Sequence, residues 1–154
     1  MIIGTFDQYG RPYVQGRLVI PRLKIDGYVD FLVDTGSDSC CLHPQDSIPF
    51  SLPFNRLQSP QDSSGIGGPQ TYFTERAMVV FADGKRLRLH EIELSIAKPN
   101  KHNMALPSLL GQDILQSWHM RHYKSSAQLD FVVKRCDLTL AHDSIPPSLF
   151  PAQP

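Results

Sequence analysis

A carboxylate, a hydroxyl and a glycine follow one another in Asp34-Thr35-Gly36-Ser37, directly after the apolar run Phe31-Leu32-Val33. This placement puts an acid at the end of a buried strand, where a tight turn holds it, and a positioned carboxylate can act as a general acid or base. Gly36 lets the backbone turn where a Cβ would clash. The same residues also read as an ordinary turn, with Asp34 accepting local backbone hydrogen bonds. Other residues with chemical capacity fall into weaker patterns. Cys40, Cys41 and His43 lie close together, yet no Cys-x-x-Cys or His-x-x-x-His spacing accompanies them, and neither a metal nor another cofactor is expected. His43, His90, His102, His119, His122 and His142 are scattered. With Ser37, Ser39 or Ser108 they form no Gly-x-Ser-x-Gly motif, which argues against a serine hydrolase. Ser64-Gly65-Ile66-Gly67-Gly68 lacks the Lys and Ser/Thr spacing of a phosphate-binding loop.

The elements that must hold Asp34 read mostly as strands. Val14, Leu18 and Ile20 precede Pro21, residues 28–33 form the strand entering the acidic turn, and residues 40–42 continue the sheet beyond it. Pro44, Pro49, Pro53 and Pro60 exclude a long helix from the next region, and Asp62-Ser63-Ser64-Gly65 carries turn chemistry. Residues 72–81 and 87–96 read as two strands joined by a hairpin turn at Asp83-Gly84. Leu87 and Leu89 share one parity while Ile92, Leu94 and Ile96 share the other, which predicts a β-bulge near His90-Glu91. Leu109-Leu110-Gly111-Gln112-Asp113-Ile114-Leu115 reads as a buried strand that breaks at a glycine into a short helix. The spacing of Ile114, Leu115 and Trp118 extends that helix over 114–123. Residues 129–133 and 138–140 read as closing strands. The working division is a domain over residues 1–142 and a proline-rich tail over 143–154, the tail mobile or extended unless it docks on a partner.

Three of these segments, in this order, resemble the retropepsin-like aspartic proteases, the single-lobed family that includes the retroviral proteases. They are the strand into Asp34-Thr35-Gly36-Ser37, the glycine-rich Ser64-Gly65-Ile66-Gly67-Gly68, and Leu109-Leu110-Gly111 leading into a helix. The resemblance runs from about residue 14 to residue 133. It implies an all-β fold with one short helix, a retropepsin-like acid protease half-barrel closed by homodimerisation. It also implies an aspartic endopeptidase that hydrolyses extended polypeptides with a water activated by two carboxylates. The chain offers one such turn, so the second carboxylate is expected from a second copy. Two carboxylates about 3 Å apart repel by about 5 kcal/mol at an effective dielectric near 20, so the pair shares one proton.

In that reading Asp34 is the catalytic acid and Thr35 bonds across the two-fold axis to the partner's turn. Gly36 lets backbone and water approach the carboxylates. The Ser37 hydroxyl donates to the carboxylate, which favours its ionised form and implies a more acidic pH optimum than a Ser37→Ala variant would have. Gly65, Ile66, Gly67 and Gly68 form a flap over the substrate, and Ile66 and Leu32 are candidates for lining its subsites. Leu109, Leu110 and Gly111 pack beneath the active turn, and Asp113 supports the helix or bonds locally. In retroviral enzymes the chain ends interleave at the dimer interface. Here the chain runs on past Leu140, so either the dimer geometry differs or the tail wraps the partner. The competing reading keeps the fold without the chemistry: an inert dimerisation or peptide-binding module.

Composition narrows the partners. The 154 residues suffice for one domain with its own core, and 41% are hydrophobic. Lys plus Arg and Asp plus Glu are both 15, so no charge excess favours nucleic acid. Lys85, Arg86 and Arg88 alternate with Leu87 and Leu89 and read as the solvated face of a strand. No apolar run approaches the roughly 20 residues that span a bilayer, and the first residues lack the apolar core of a signal peptide. A cytoplasmic location without a membrane partner is expected. Cys40, Cys41 and Cys136 make a poor disulfide framework and read as buried thiols in a reducing compartment. The expected partners are a second copy and a peptide or protein substrate.

Overall fold

A computed structural model describes residues 1–65 and 68–144. Two short strands, β1 (Ile2–Ile3) and β2 (Thr5–Phe6), lead into β3 (Pro12–Ile20). A 3-10 turn at Pro21–Leu23, closed by Lys24 at φ 54°, reverses the chain into β4 (Ile25–Val33). Along β4 the alternation is plain: Ile25, Val29, Phe31 and Val33 are buried while Tyr28 and Asp30 are exposed, the period of a strand with one face on a core. There follow β5 (Cys41–Leu42), a one-turn helix α1 (Pro44–Ser47), and β6 (Gln61–Gly65). The long strands β7 (Gly68–Asp83) and β8 (Arg86–Ala97) form a hairpin across Gly84-Lys85, with Gly84 at φ 62°, a conformation that glycine adopts without a Cβ penalty. The chain ends its described part with β9 (Leu109–Leu110), α2 (Gln112–Leu115), β10 (Trp118–Tyr123), β11 (Gln128–Val133) and β12 (Leu138–Ala141).

Strand pairings close on themselves in the order β3-β4-β9-β5-β8-β7 and back to β3, a barrel-like ring with β2, β6 and β12 on its margins. A second sheet, β1-β11-β10, packs against it. The interior is filled by Leu18, Ile20, Phe31, Phe81, Leu94 and Leu110, each worth about 1.5–3 kcal/mol in removed apolar surface. Trp118 joins the sheets: its ring stands edge-on to Phe81 at 4.8 Å and lies 5.2 Å from Phe131. Among the described residues no helix is long and apolar enough to cross a membrane.

The mostly-β architecture is as expected, with four differences in detail. The expected bulge at His90-Glu91 is absent; β7 and β8 keep one register from Tyr72↔Ala97 to Asp83↔Arg86. His90 is itself a core residue on the face of Ile92, Leu94 and Ile96, because Trp118 Nε1–H donates to its Nε2 at 3.2 Å. Leu87 and Leu89 use the opposite face, opposed in register to Leu140 and Leu138 of β12. The helix expected over 114–123 stops at Leu115, and residues 118–123 are a strand with six registered pairs to β11; a ladder along the whole segment outweighs three residues at helical spacing. The helix is also not alone, since α1 is a second one-turn helix. Asp62 to Gly65 extend as β6 along β7, with Thr71 Oγ1 donating to Asp62 Oδ1 at 2.7 Å.

Candidate active site

Asp34 is the first residue beyond β4, where parallel pairing to β9 sets its position: Leu32 is opposite Leu109 and Val33 opposite Leu110. Leu32 N–H donates to Ser108 O at 2.8 Å and Asp34 N–H to Leu110 O at 3.0 Å. The chain then turns sharply, Ser37 N–H reaching back to Asp34 O at 3.2 Å. Within the turn Gly36 N–H donates to Asp34 Oδ1 at 2.9 Å. Among the described residues nothing donates to Oδ2, so one oxygen of a half-buried carboxylate is left for another partner. Thr35 and Gly36 are exposed. The clash expected for a Cβ at Gly36 is not found: an added Cβ there would meet only Asp34 Oδ1, at 3.3 Å.

From Thr35 to Cys40 the loop rests on the segment after β9. Gln112 Nε2 donates to Thr35 O at 2.9 Å, and the backbone N–H groups of Gln112 and Asp113 donate to Ser37 O at 2.8 Å and Asp38 O at 3.1 Å. The Asp113 carboxylate accepts from Cys40 N–H at 2.9 Å and from the Cys40 thiol at 3.0 Å. Cys40 Sγ in turn accepts from Gly111 N–H at 3.3 Å. Burial, with the Asp113 carboxylate beside it, pushes the Cys40 thiol far up, so it stays protonated and donates. Gly111 passes so near the loop that a Cβ there would lie 2.4 Å from Ser39 C and O.

The strand feeding Gly111 is anchored from below. Ser108 Oγ donates to Asp46 Oδ2 at 2.6 Å and accepts from His43 N–H at 3.0 Å, while His43 Nδ1–H donates to Pro107 O at 2.7 Å. His43 is thereby a structural residue, and burial pushes its pKa below the ordinary 6.5. Cys41, whose thiol burial pushes up to about 12, lies 3.8 Å from His43 Nε2.

Most predicted residues therefore converge on one place. Asp34 to Ser37 form the turn, Leu110 is fully buried beneath it, Leu109 is half-buried, and Gly111 is the close-approach point. Gly65 and Gly68 are register partners at the end of the β6–β7 hairpin; Ile66 and Gly67 lie outside the described residues. Ser37 differs from expectation: its hydroxyl donates to Ser39 O at 2.8 Å, and a hydroxyl has one proton to give, so in this loop it braces backbone and not the carboxylate. Gln112, Cys40, Ser108 and His43 were not singled out as site supports from sequence. For Cys40 and Gln112 the available signal was adjacency to the two motifs. A cavity of about 540 Å³ lined in part by Arg22, Glu75, Met78 and Glu91 contains no residue of this loop, and two of its carboxylates are paired, Glu75 with Arg22 and Glu93 with Arg76.

A family profile described as retroviral aspartyl protease matches residues 10–122. Among solved structures, a retropepsin-like aspartic protease from Rickettsia conorii is 17% identical, with a TM-score of 0.58, over 86% of this chain and 97% of that one. EIAV protease complexed with the inhibitor HBY-793 is 21% identical over 73% of this chain and 91% of that one, with a TM-score of 0.42. No curated protein matches. The profile covers the Asp34 turn, the β6–β7 hairpin and the β9–α2 junction together, and on that match the chain belongs to the retroviral aspartyl protease family.

Proposed function

We propose that the chain is an aspartic endopeptidase whose active site forms between two copies, each contributing Asp34. The observation that carries this reading is the state of Asp34 itself. Its backbone is tied to Leu110, one carboxylate oxygen is held by Gly36 N–H, and the other accepts nothing among the described residues. A turn built only as a turn has no need of an acid with a free oxygen beside exposed Thr35 and Gly36. Two such turns facing each other bring two carboxylates around one water. One carboxylate takes a proton from the water as its oxygen bonds to the scissile carbonyl carbon, and the other, protonated, gives its proton to the carbonyl oxygen. Collapse of the resulting tetrahedral diol breaks the C–N bond, with a proton passing to the leaving nitrogen. Gln112, Asp113 and Cys40 hold the turn still while charge develops, so little reorganisation accompanies the step. The β6–β7 hairpin, with its paired Gly65 and Gly68, is assigned as the flap that covers an extended peptide.

The test is incubation with a mixed peptide library across pH values, for wild type and Asp34→Asn, with and without a statine-type inhibitor. Cleavage by wild type that is blocked by the inhibitor and falls at least about 10³-fold in the variant is expected. Cleavage that survives Asp34→Asn refutes the mechanism. Absence of cleavage under every condition favours the inert peptide-binding or dimerisation module.

A further inference from the structure

The β6–β7 hairpin overhangs the barrel. Among the described residues β6 pairs only with β7, β7 pairs with β3 only at residues 78–80, and its ladder to β8 ends at Tyr72↔Ala97. Four pairs of the hairpin, from Asp62↔Thr71 to Gly65↔Gly68, therefore extend past the last registered pair with any other strand. A two-stranded ribbon is marginal by itself, so its direction must be set by something beside it. Lys98 N–H adds one bond to Thr71 O at 2.9 Å. The other hydrogen-bonded cross-links among the described residues all pass through one side chain, Gln70.

Gln70 spends the whole hydrogen-bonding capacity of its amide. Nε2 donates to Thr71 O and Lys98 O, both at 3.0 Å, and Oε1 accepts from Asn100 Nδ2 at 2.9 Å and Asn103 Nδ2 at 2.8 Å. Two N–H donors and two lone pairs are all that such a group has. The partners on Lys98, Asn100 and Asn103 belong to the segment after β8, which is braced about the same point. Asn103 is 2% exposed; it also donates to Lys98 O at 2.8 Å and accepts from Asn100 N–H at 2.9 Å. Asn100 Oδ1 accepts from His102 N–H at 2.8 Å and Asn103 N–H at 3.1 Å. A loop whose backbone donors are met by its own amides is a fixed support. It also leads straight to the active turn: Pro107 O accepts from His43 Nδ1–H at 2.7 Å, and Ser108 O from Leu32 N–H at 2.8 Å, two residues before Asp34.

We propose that Gln70 is a positioning residue for peptide cleavage: its amide clamps the overhanging hairpin to the 98–107 loop, and so to the strand that holds Asp34. This rests on the endopeptidase reading above and names what holds its flap in place. Gln70 acts through the hairpin and the loop, not on the reacting atoms. A peptide captured under a hairpin that is already fixed does not have to order it, and that saving appears as tighter binding. Without the clamp the same contacts are available, but each binding event must first bring hairpin and loop together. The loss therefore falls on KM, while the chemistry at Asp34 proceeds much as before once the peptide is held. Amides that only closed the loop on itself would leave the hairpin indifferent to Asn103, which lies outside it.

Amide hydrogen exchange of the full chain, read by mass spectrometry, tests the clamp in wild type, Gln70→Ala, Gln70→Glu and Asn103→Ala. Gln70→Glu is the mild variant, keeping length and acceptors while losing both N–H donors. Exchange over residues 61–65 and 68–72 is expected to quicken about 10-fold in Gln70→Ala and Asn103→Ala, and less in Gln70→Glu. Strands β10 and β11 are the internal reference and should exchange as in wild type in every folded variant. Cleavage of the best-cleaved library peptide should show KM raised about 10-fold in the two alanine variants, with kcat within about threefold. The double variant Gln70→Ala/Asn103→Ala should match Gln70→Ala alone, because both changes open one clamp. Hairpin exchange unchanged in Asn103→Ala, or a KM equal to wild type in every variant, overturns the positioning role and leaves the endopeptidase reading standing. Wild type that cleaves no peptide overturns both.

Discussion

Replacing Gly111 with alanine introduces a methyl group at the point where two loops cross. The new carbon would lie 2.4 Å from Ser39 C and O and 2.9 Å from Cys40 N, against ordinary contacts of 3.4 Å and more. Relief requires a displacement of about 1 Å between the Asp34 loop and the start of α2, an overpacking that costs about 1–3 kcal/mol. The loop cannot give that distance freely. Cys40 is held by Asp113 through its N–H at 2.9 Å and its thiol at 3.0 Å, and its carbonyl accepts from Ser95 N–H at 3.1 Å. Losing one of these adds about 1 kcal/mol, so a total near 3 kcal/mol is expected. Trp118, the single tryptophan and 6% exposed, reports unfolding by fluorescence, and urea titrations at one fixed protein concentration keep any subunit equilibrium comparable. Gly36→Ala is the control, because the sole contact of its added Cβ is Asp34 Oδ1 at 3.3 Å; its stability should stay within about 0.5 kcal/mol of wild type. Peptide cleavage should fall about 100-fold in Gly111→Ala from the displaced turn. A Gly111→Ala protein as stable as Gly36→Ala would show that the two loops are not locked together.

Other perturbations reach the same support from different sides. Asp113→Ala removes the acceptors of both Cys40 donors and should cost about 2–3 kcal/mol, with Asp113→Asn losing roughly half of that; calorimetry that finds both variants equal to wild type would discard the clamp. Thiol labelling of the native protein should modify Cys136 alone, since Cys40 and Cys41 are buried with their thiols pushed up, and all three after denaturation. Rapid native reaction of a second thiol would contradict the packing. Burial lowers the pKa of both His43 and His90 from 6.5. Below that value the unfolded chain takes up protons that the folded chain refuses, so stability falls as pH drops from about 6.5 toward the folded pKa values. His90→Gln should flatten that slope in thermal unfolding, and an unchanged slope would remove His90 from the account.

What could be read from the residues was what local chemistry dictates. Asp34 to Ser37, the Asp83-Gly84 hairpin and the break at Gly111 each depend on a few neighbours along the chain, and each stands close to where it was expected. The errors arose where distant partners decide. Trp118 joins Ile114 and Leu115 at helical spacing, but β11, absent from any local window, draws residues 118–123 into a ladder. His90 interrupts the apolar parity of β8 and invites a bulge, whereas the indole of Trp118 supplies the hydrogen bond that makes a histidine acceptable in the core. Ser37 faced two acceptors, and nothing in its neighbours says that Ser39 O lies in reach of its one proton. Cys40 and Cys41 read correctly as buried thiols, whereas Cys136, expected with them, is only half-buried; the partner of Cys40, Asp113, is 73 residues away.

That distance has a consequence for when the turn comes into being. Asp34 is joined to Leu110, Ser37 to Gln112 and Cys40 to Asp113, so these three long-range tethers lie in a segment made long after the acid itself. Closing such a loop is the slow, non-local part of folding. A growing or arrested chain that stops before Leu109 has neither β9 nor α2, and its Asp34 turn keeps only its local hydrogen bonds, without the supports that fix its position on the sheet. The order of the chain thus leaves the Asp34 turn unbraced until the last piece of its own support has been made.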